Sequence, residues 1–218
     1  MIAMIAGSFI LWLITEHFWP GIFDPWQYWC LTDNIITAVT QSWPLYLYGL
    51  VITVILLRRA GYLDSDDKVS FINIYSSVMA GIIEEIGYRC IFIFTSMISI
   101  ILLKQLIPGI VTWYYNTIFF MTDIATLGLM HNTIYGFPEI FMAAALSANV
   151  AFRDGHKYQG TLGLLNAWFI GLYLLQIMLT KGLVIAILVH MIYDLTIDFT
   201  KYFYDHIGIK TNLGYIER

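Results

Sequence analysis

The chain has 218 residues, 59% of them hydrophobic and only 12% charged, with a formal net charge of −4 and a mean hydropathy of +0.73. Soluble domains run at about 45–50% apolar and about 25% charged, so this composition excludes an ordinary soluble domain. It points to a single integral membrane domain over residues 1–218 with the lipid bilayer as its partner. The mild acidity argues against a nucleic-acid partner, and Cys30 and Cys90 are too few for a disulfide framework or a cysteine metal site.

A spanning helix needs about 20 mostly apolar residues. The first candidate runs from Ile2 to about Trp19, is interrupted by Glu16 and His17, and stops at Pro20-Gly21. No Lys or Arg precedes it, so it lacks the basic start of a cleaved signal peptide and reads as a retained helix. After a loop with Asp24, Pro25, Trp26 and Asp33, the second span covers about Ile35 to Leu57, with Pro44 as a kink and Arg58-Arg59 as its end. A polar loop with Asp64, Asp66, Asp67 and Lys68 leads to a third span, about Ser70 to Arg89, and a fourth, Cys90 to about Leu106. The fifth runs about Trp113 to Met130, ending at His131. A short sixth covers about Glu139 to Phe152, followed by the polar loop Arg153-Asp154-Gly155-His156-Lys157. Two more follow, about Leu162 to Leu179 and about Leu183 to Phe203. The expected architecture is therefore an all-α, polytopic membrane bundle of about eight helices, with no internal repeat.

Eight spans put both termini on one side. Arg58, Arg59, Lys68, Lys104, Arg153, Lys157, Lys201, Lys210 and Arg218 fall on that side and only Lys181 opposite, so the positive-inside rule places both termini in the cytoplasm. The expected location is a multi-pass protein of a prokaryotic plasma membrane.

Several ionisable groups then lie within spans, where each is costly unless paired or hydrated. Glu85 and Arg89 are i,i+4 and can pair on one helix face, either as a structural clamp or in support of chemistry. Glu84 is rotated about 100° from Glu85 and needs another partner. His190, Asp194 and Asp198 form an i, i+4, i+8 stripe expected to face the interior. In this topology Glu84, Glu85, His131, His190 and Asp194 share a depth in the outer half of the bundle. The simpler readings stand beside this one: His131 as an interface residue, Asp194 and Asp198 as polar links between helices, Asp123 and Glu139 as structural. His156 and His206 read as solvated loop residues.

The combination resembles a known family. Glu84-Glu85-Ile-Gly-Tyr-Arg89 is similar to the Glu-Glu-x-x-x-Arg motif of the CAAX protease and bacteriocin-processing (ABI) family of intramembrane endopeptidases, which includes the type II CAAX prenyl endopeptidases. The family's second motif is Phe-x-x-x-His, which Leu127-Gly-Leu-Met-His131 resembles with Leu in place of Phe. Its third, His-x-x-x-Asn/Asp, resembles His190-Met-Ile-Tyr-Asp194. The resemblance covers about residues 70–203. Cys90 stands where a small Gly commonly follows the arginine.

Membership would imply hydrolysis of a peptide bond in a membrane-associated, prenylated or otherwise processed peptide. Glu84 would be the general base, and His131 would hold the attacking water. His190 and Asp194 would orient the carbonyl and stabilise the oxyanion, with Glu85 and Arg89 fixing Glu84. A zinc version would use Glu84, His131 and His190 as ligands with water in the open position. A CAAX substrate lies in the cytoplasm, which fits poorly with a site in the outer half. The alternatives are a non-proteolytic bacteriocin-immunity or scaffold protein, and a proton- or cation-coupled transporter.

Overall fold

The computed structural model describes residues 2–21, 29, 34–60 and 71–206, and among them every regular element is a helix. The loop acids Asp24, Asp33, Asp64, Asp66 and Asp67, together with Cys30, Lys68, Lys210 and Arg218, lie outside the described residues.

Local signals set many of the boundaries. Helix α1 is Ile2–Phe18. Asn34 starts α2 (Ile35–Gln41) by accepting the backbone N–H groups of Ile36 and Thr37 on its side chain. A 41° bend separates α2 from α3 (Trp43–Ala60); Pro44 falls in the first turn of α3, where a missing N–H leaves no bond unmade. Helix α4 (Phe71–Ile86) continues through a π-helical segment, Gly87–Phe92, into α5 (Ile93–Leu106). Pro108 is the first residue of α6 (Pro108–Ala125). Leu127 (φ 52°) and Gly128 (φ 78°) then turn the chain in the left-handed region before the short α7 (His131–Tyr135). Helix α8 is Glu139–Gly155, and α9 (Gly160–Lys181) is parted from α10 (Leu183–His206) by Gly182, whose φ of 102° only glycine adopts freely.

The expectation of about eight spans is corrected. Among the described residues three helices are long and apolar enough to cross a membrane, Ile74–Leu106, Lys157–Lys181 and Leu183–Tyr204, and the bent pair α2–α3 makes up to four. The third and fourth expected spans are one 33-residue helix. Arg89 is the expected end of the third span. Here its charge is compensated inside the protein, and Tyr88-Arg89-Cys90-Ile91 contains no Gly or Pro to break the backbone.

Helix α10 runs antiparallel to α4, with Ser77 meeting Asp198 and Glu85 meeting His190. Helix α8 also runs antiparallel to the long helix: its Gly155 end lies against Tyr88, while Ser147 shares a groove with Ser96 and Ser99 further along. Leu57 of α3, Tyr158 and Gln159 before α9, and Lys201 of α10 line one pocket. That places the Arg58, Lys157 and Lys201 positions at one end of the bundle. Lys181 bonds Gln41 at the other end, and Lys104, closing α5, moves to that other end once α4 and α5 are continuous.

Close packing of α4 on α10 depends on Gly81. A Cβ there would lie 2.8 Å from Met191 Cγ and 3.1 Å from the Met191 backbone nitrogen, so the helices approach at a small residue. Gly81→Val is expected to destabilise the protein by about 1–3 kcal/mol through overpacking, seen as a lower thermal midpoint in detergent.

Candidate functional site

Antiparallel packing of α4 and α10 brings the double glutamate beside His190. Successive residues on a helix point about 100° apart, and the two acids diverge accordingly. Glu85 faces the core and is fully buried. Its Oε2 lies 3.2 Å from Arg89 Nε and its Oε1 2.9 Å from His190 Nδ1. Arg89, 1% exposed, also donates from Nη2 to the Gly171 carbonyl of α9 at 2.7 Å, and its guanidinium sits 5.7 Å from the centroid of the Phe152 ring. Glu85 and Arg89, assigned from the sequence to fixing Glu84, make their hydrogen bonds to His190 and to α9 instead.

Glu84 turns toward a partly wet cleft, its side chain 29% exposed. Its Oε2 lies 3.9 Å from His190 Nε2 and 3.8 Å from His156 Nε2. Asp194 Oδ2 is 3.7 Å from the same His190 nitrogen. Both imidazoles have their orientation fixed from behind. His190 Nδ1–H donates to the Glu85 carboxylate. His156 Nδ1 is 2.8 Å from the Phe152 carbonyl, and a carbonyl only accepts, so Nδ1 carries a proton and Nε2 is the nitrogen turned toward Glu84. Separations of 3.7–3.9 Å are too long for direct hydrogen bonds.

The structure brings together Glu84, Glu85, Arg89, His190 and Asp194. It does not bring in His131, and the position given to that residue is corrected. His131 Nδ1 pairs with Asp123 Oδ2 of α6 at 2.9 Å, its side chain is 60% exposed, and its ring packs on Tyr135. The reason is topological. His131 precedes α8 and His156 follows it, so 17 residues of helix, about 25 Å, lie between them. His156, read from the sequence as a solvated loop residue, holds the place expected of His131. A signal for it exists: Phe152-Arg153-Asp154-Gly155-His156 has the Phe-x-x-x-His spacing with its phenylalanine present. Phe152 packs edge-on to His190 at 6.0 Å and against Tyr88 at 5.2 Å. Asp198, the next residue of the α10 stripe, accepts from Ser77 and lies 3.9 Å from Lys201.

The site lies within the bundle: along α10 His190 stands between Gly182 and Lys201, Arg89 meets the middle of α9 at Gly171, and His156 adjoins Lys157 on the side of the basic end.

Zinc does not fit this arrangement. The set Glu84, His131 and His190 is not assembled. With His156 in the place of His131, the donor atoms stand 3.8 and 3.9 Å apart, whereas bonds of about 2.0–2.1 Å in a tetrahedral shell need edges of about 3.3 Å. Among the described residues no group of three or more His, Cys, Asp or Glu has the geometry of a metal site.

No protein-family model matches the chain, and no curated protein or solved structure does either.

Removing one member of a buried ion pair leaves the other charge uncompensated. Arg89→Leu is expected to cost about 3–5 kcal/mol, and the double variant Glu85→Leu/Arg89→Leu to recover part of that loss, measured by denaturant unfolding in micelles. Equal stability of the single and double variants would contradict this account of the pair.

Proposed function

We propose that the protein is an intramembrane endopeptidase of the CAAX protease and bacteriocin-processing type, hydrolysing a peptide bond of a membrane-associated peptide with a water activated by Glu84. The observation that carries this reading is the convergence at Glu84 Oε2, which faces the Nε2 atoms of two histidines at 3.8 and 3.9 Å, each ring fixed through its other nitrogen. A base alone is common in polar membrane helices. A base flanked by two oriented imidazoles is what water activation beside a polarised carbonyl requires.

In this mechanism a water between Glu84 and His156 gives one proton to the Glu84 carboxylate while its oxygen attacks the scissile carbonyl carbon. His156 Nε2 accepts the second hydrogen of that water as a hydrogen bond and sets its direction. His190, protonated on both nitrogens in this role, donates from Nε2 to the developing oxyanion. Asp194, 3.7 Å from His190 Nε2, favours the charged form of that ring by its own negative charge without itself meeting the oxyanion. Collapse of the tetrahedral intermediate breaks the C–N bond, and the proton held by Glu84 passes to the departing amine. No metal takes part.

The place of the site also supports this reading. Positive-inside bias puts the end with Arg58, Lys157 and Lys201 in the cytoplasm. Entered from its His156 edge, beside Lys157, such a site in a prokaryotic plasma membrane reaches a lipid-anchored or prenylated peptide without moving it across the bilayer.

The test is cleavage of a membrane-anchored peptide library, with a prenylated CAAX-type peptide included, by protein reconstituted in liposomes and read by mass spectrometry. Glu84→Gln and His156→Ala are each expected to lower turnover by about 10²–10⁴-fold, the usual worth of a positioned proton acceptor. His131→Ala is expected to stay within about twofold of the wild type, and chelator treatment to leave the rate unchanged. Cleavage by Glu84→Gln at the wild-type rate would rule out the mechanism.

A further inference from the structure

Arg89 is the hub behind the site, and one of its nitrogens is unaccounted for. Nε bonds Glu85 and Nη2 bonds the Gly171 carbonyl, but Nη1 is buried with no hydrogen-bond partner. A buried, unpaired donor on a charged group is costly, and such groups in native proteins call for an explanation. A complementary orphan lies against the same glycine. Asn149 of α8 is fully buried, its Nδ2 donates to the Trp168 carbonyl at 3.1 Å, and its Oδ1 has no partner. That oxygen would be only 2.0 Å from a Cβ placed on Gly171. Position 171 is therefore open on the side where Oδ1 approaches, while its carbonyl holds Arg89.

The α8 face explains why both orphans meet there. Asn149, Phe152 and His156 are at i, i+3 and i+7, one stripe of the helix. His156 meets Glu84, Phe152 lies under the Arg89 guanidinium, and Asn149 lies against Gly171. From this geometry we infer that Asn149 is a positioning residue for the site: its Oδ1 accepts a hydrogen bond from one buried water that in turn accepts from Arg89 Nη1. With that bond all three guanidinium nitrogens are held, the plane of Arg89 is fixed, and through it the Glu85 carboxylate that orients His190.

This rests on the peptidase reading for its effect on turnover, but the contact can be tested without activity. The full chain, labelled with ¹⁵N-arginine and embedded in nanodiscs, gives guanidinium resonances for Arg89, identified by their loss in Arg89→Lys. Slowly exchanging, separately resolved Nη1 and Nη2 protons are expected in the wild type and in Asn149→Asp, which keeps the acceptor. Asn149→Leu should collapse the Nη1 signals into fast exchange. In the cleavage assay Asn149→Leu is expected to lower kcat by about 10–100-fold, the usual effect of removing a supporting partner, with KM within about twofold. Asn149→Asp should restore most of that loss. Unchanged Arg89 signals in Asn149→Leu would overturn the inference. So would a lowered thermal midpoint with kcat per folded molecule unaltered, the mark of a purely structural asparagine. If Asn149→Leu does not fold, loss of Nη protection in Asn149→Asp overturns it, and retained protection supports it. Absence of cleavage by the wild type would count against the peptidase alone and leave the resonance result to decide the contact.

Discussion

A carboxylate with no exposure to solvent must be compensated by other groups, and Glu85 shows how much of this structure follows from that requirement. Arg89 supplies the countercharge from the next helical turn and His190 supplies a second hydrogen bond from α10. Arg89 in turn needs acceptors, and finds one in the backbone of α9 at Gly171. One buried charge thus ties together the long α4–α5 helix, α9 and α10. Surface ion pairs contribute little to stability, whereas breaking a buried one is severe. The Glu85 cluster is therefore both a structural anchor and the frame on which the site is mounted.

The candidate site lies on the outer side of that frame. Adjacent positions on one helix give Glu84 and Glu85 opposite environments, one half-wet and one dry, and so opposite roles. Glu85 is bonded to an imidazole and a guanidinium, while Glu84 faces the cleft, where in the proposed mechanism it meets the water. The π-helical segment falls immediately after this pair. Single π turns within long helices commonly accompany functional sites, and here the segment carries Arg89 itself. Continuity of the helix through that segment also keeps the charged hub within the bundle rather than at a membrane surface.

Much of the site was legible in the sequence because it is local. Glu85 and Arg89 at i,i+4, and His190 and Asp194 at i,i+4, are fixed by the geometry of a single helix. Assigning the second histidine required knowing how separate helices pack. His131 and His156 both follow apolar helices, both adjoin polar residues, and both stand four residues after a bulky apolar side chain. Only the direction of α8 separates them. It carries the chain from the end of the bundle where His131 pairs with Asp123 to the end where His156 meets Glu84. The span count failed for a related reason: an arginine that is neutralised by tertiary contacts does not terminate a helix, and sequence patterning carries no information on that compensation.

The sequence by itself determined that this is an apolar, all-helical chain, that Glu84 and Glu85 point different ways, and that His190 and Asp194 share a face. These follow from composition and from 3.6 residues per turn. The tertiary structure alone decided that Glu85 holds His190 rather than Glu84, and that His156 and not His131 completes the cleft. Each of these depends on which helices run side by side and in which direction, and helical periodicity has no access to that.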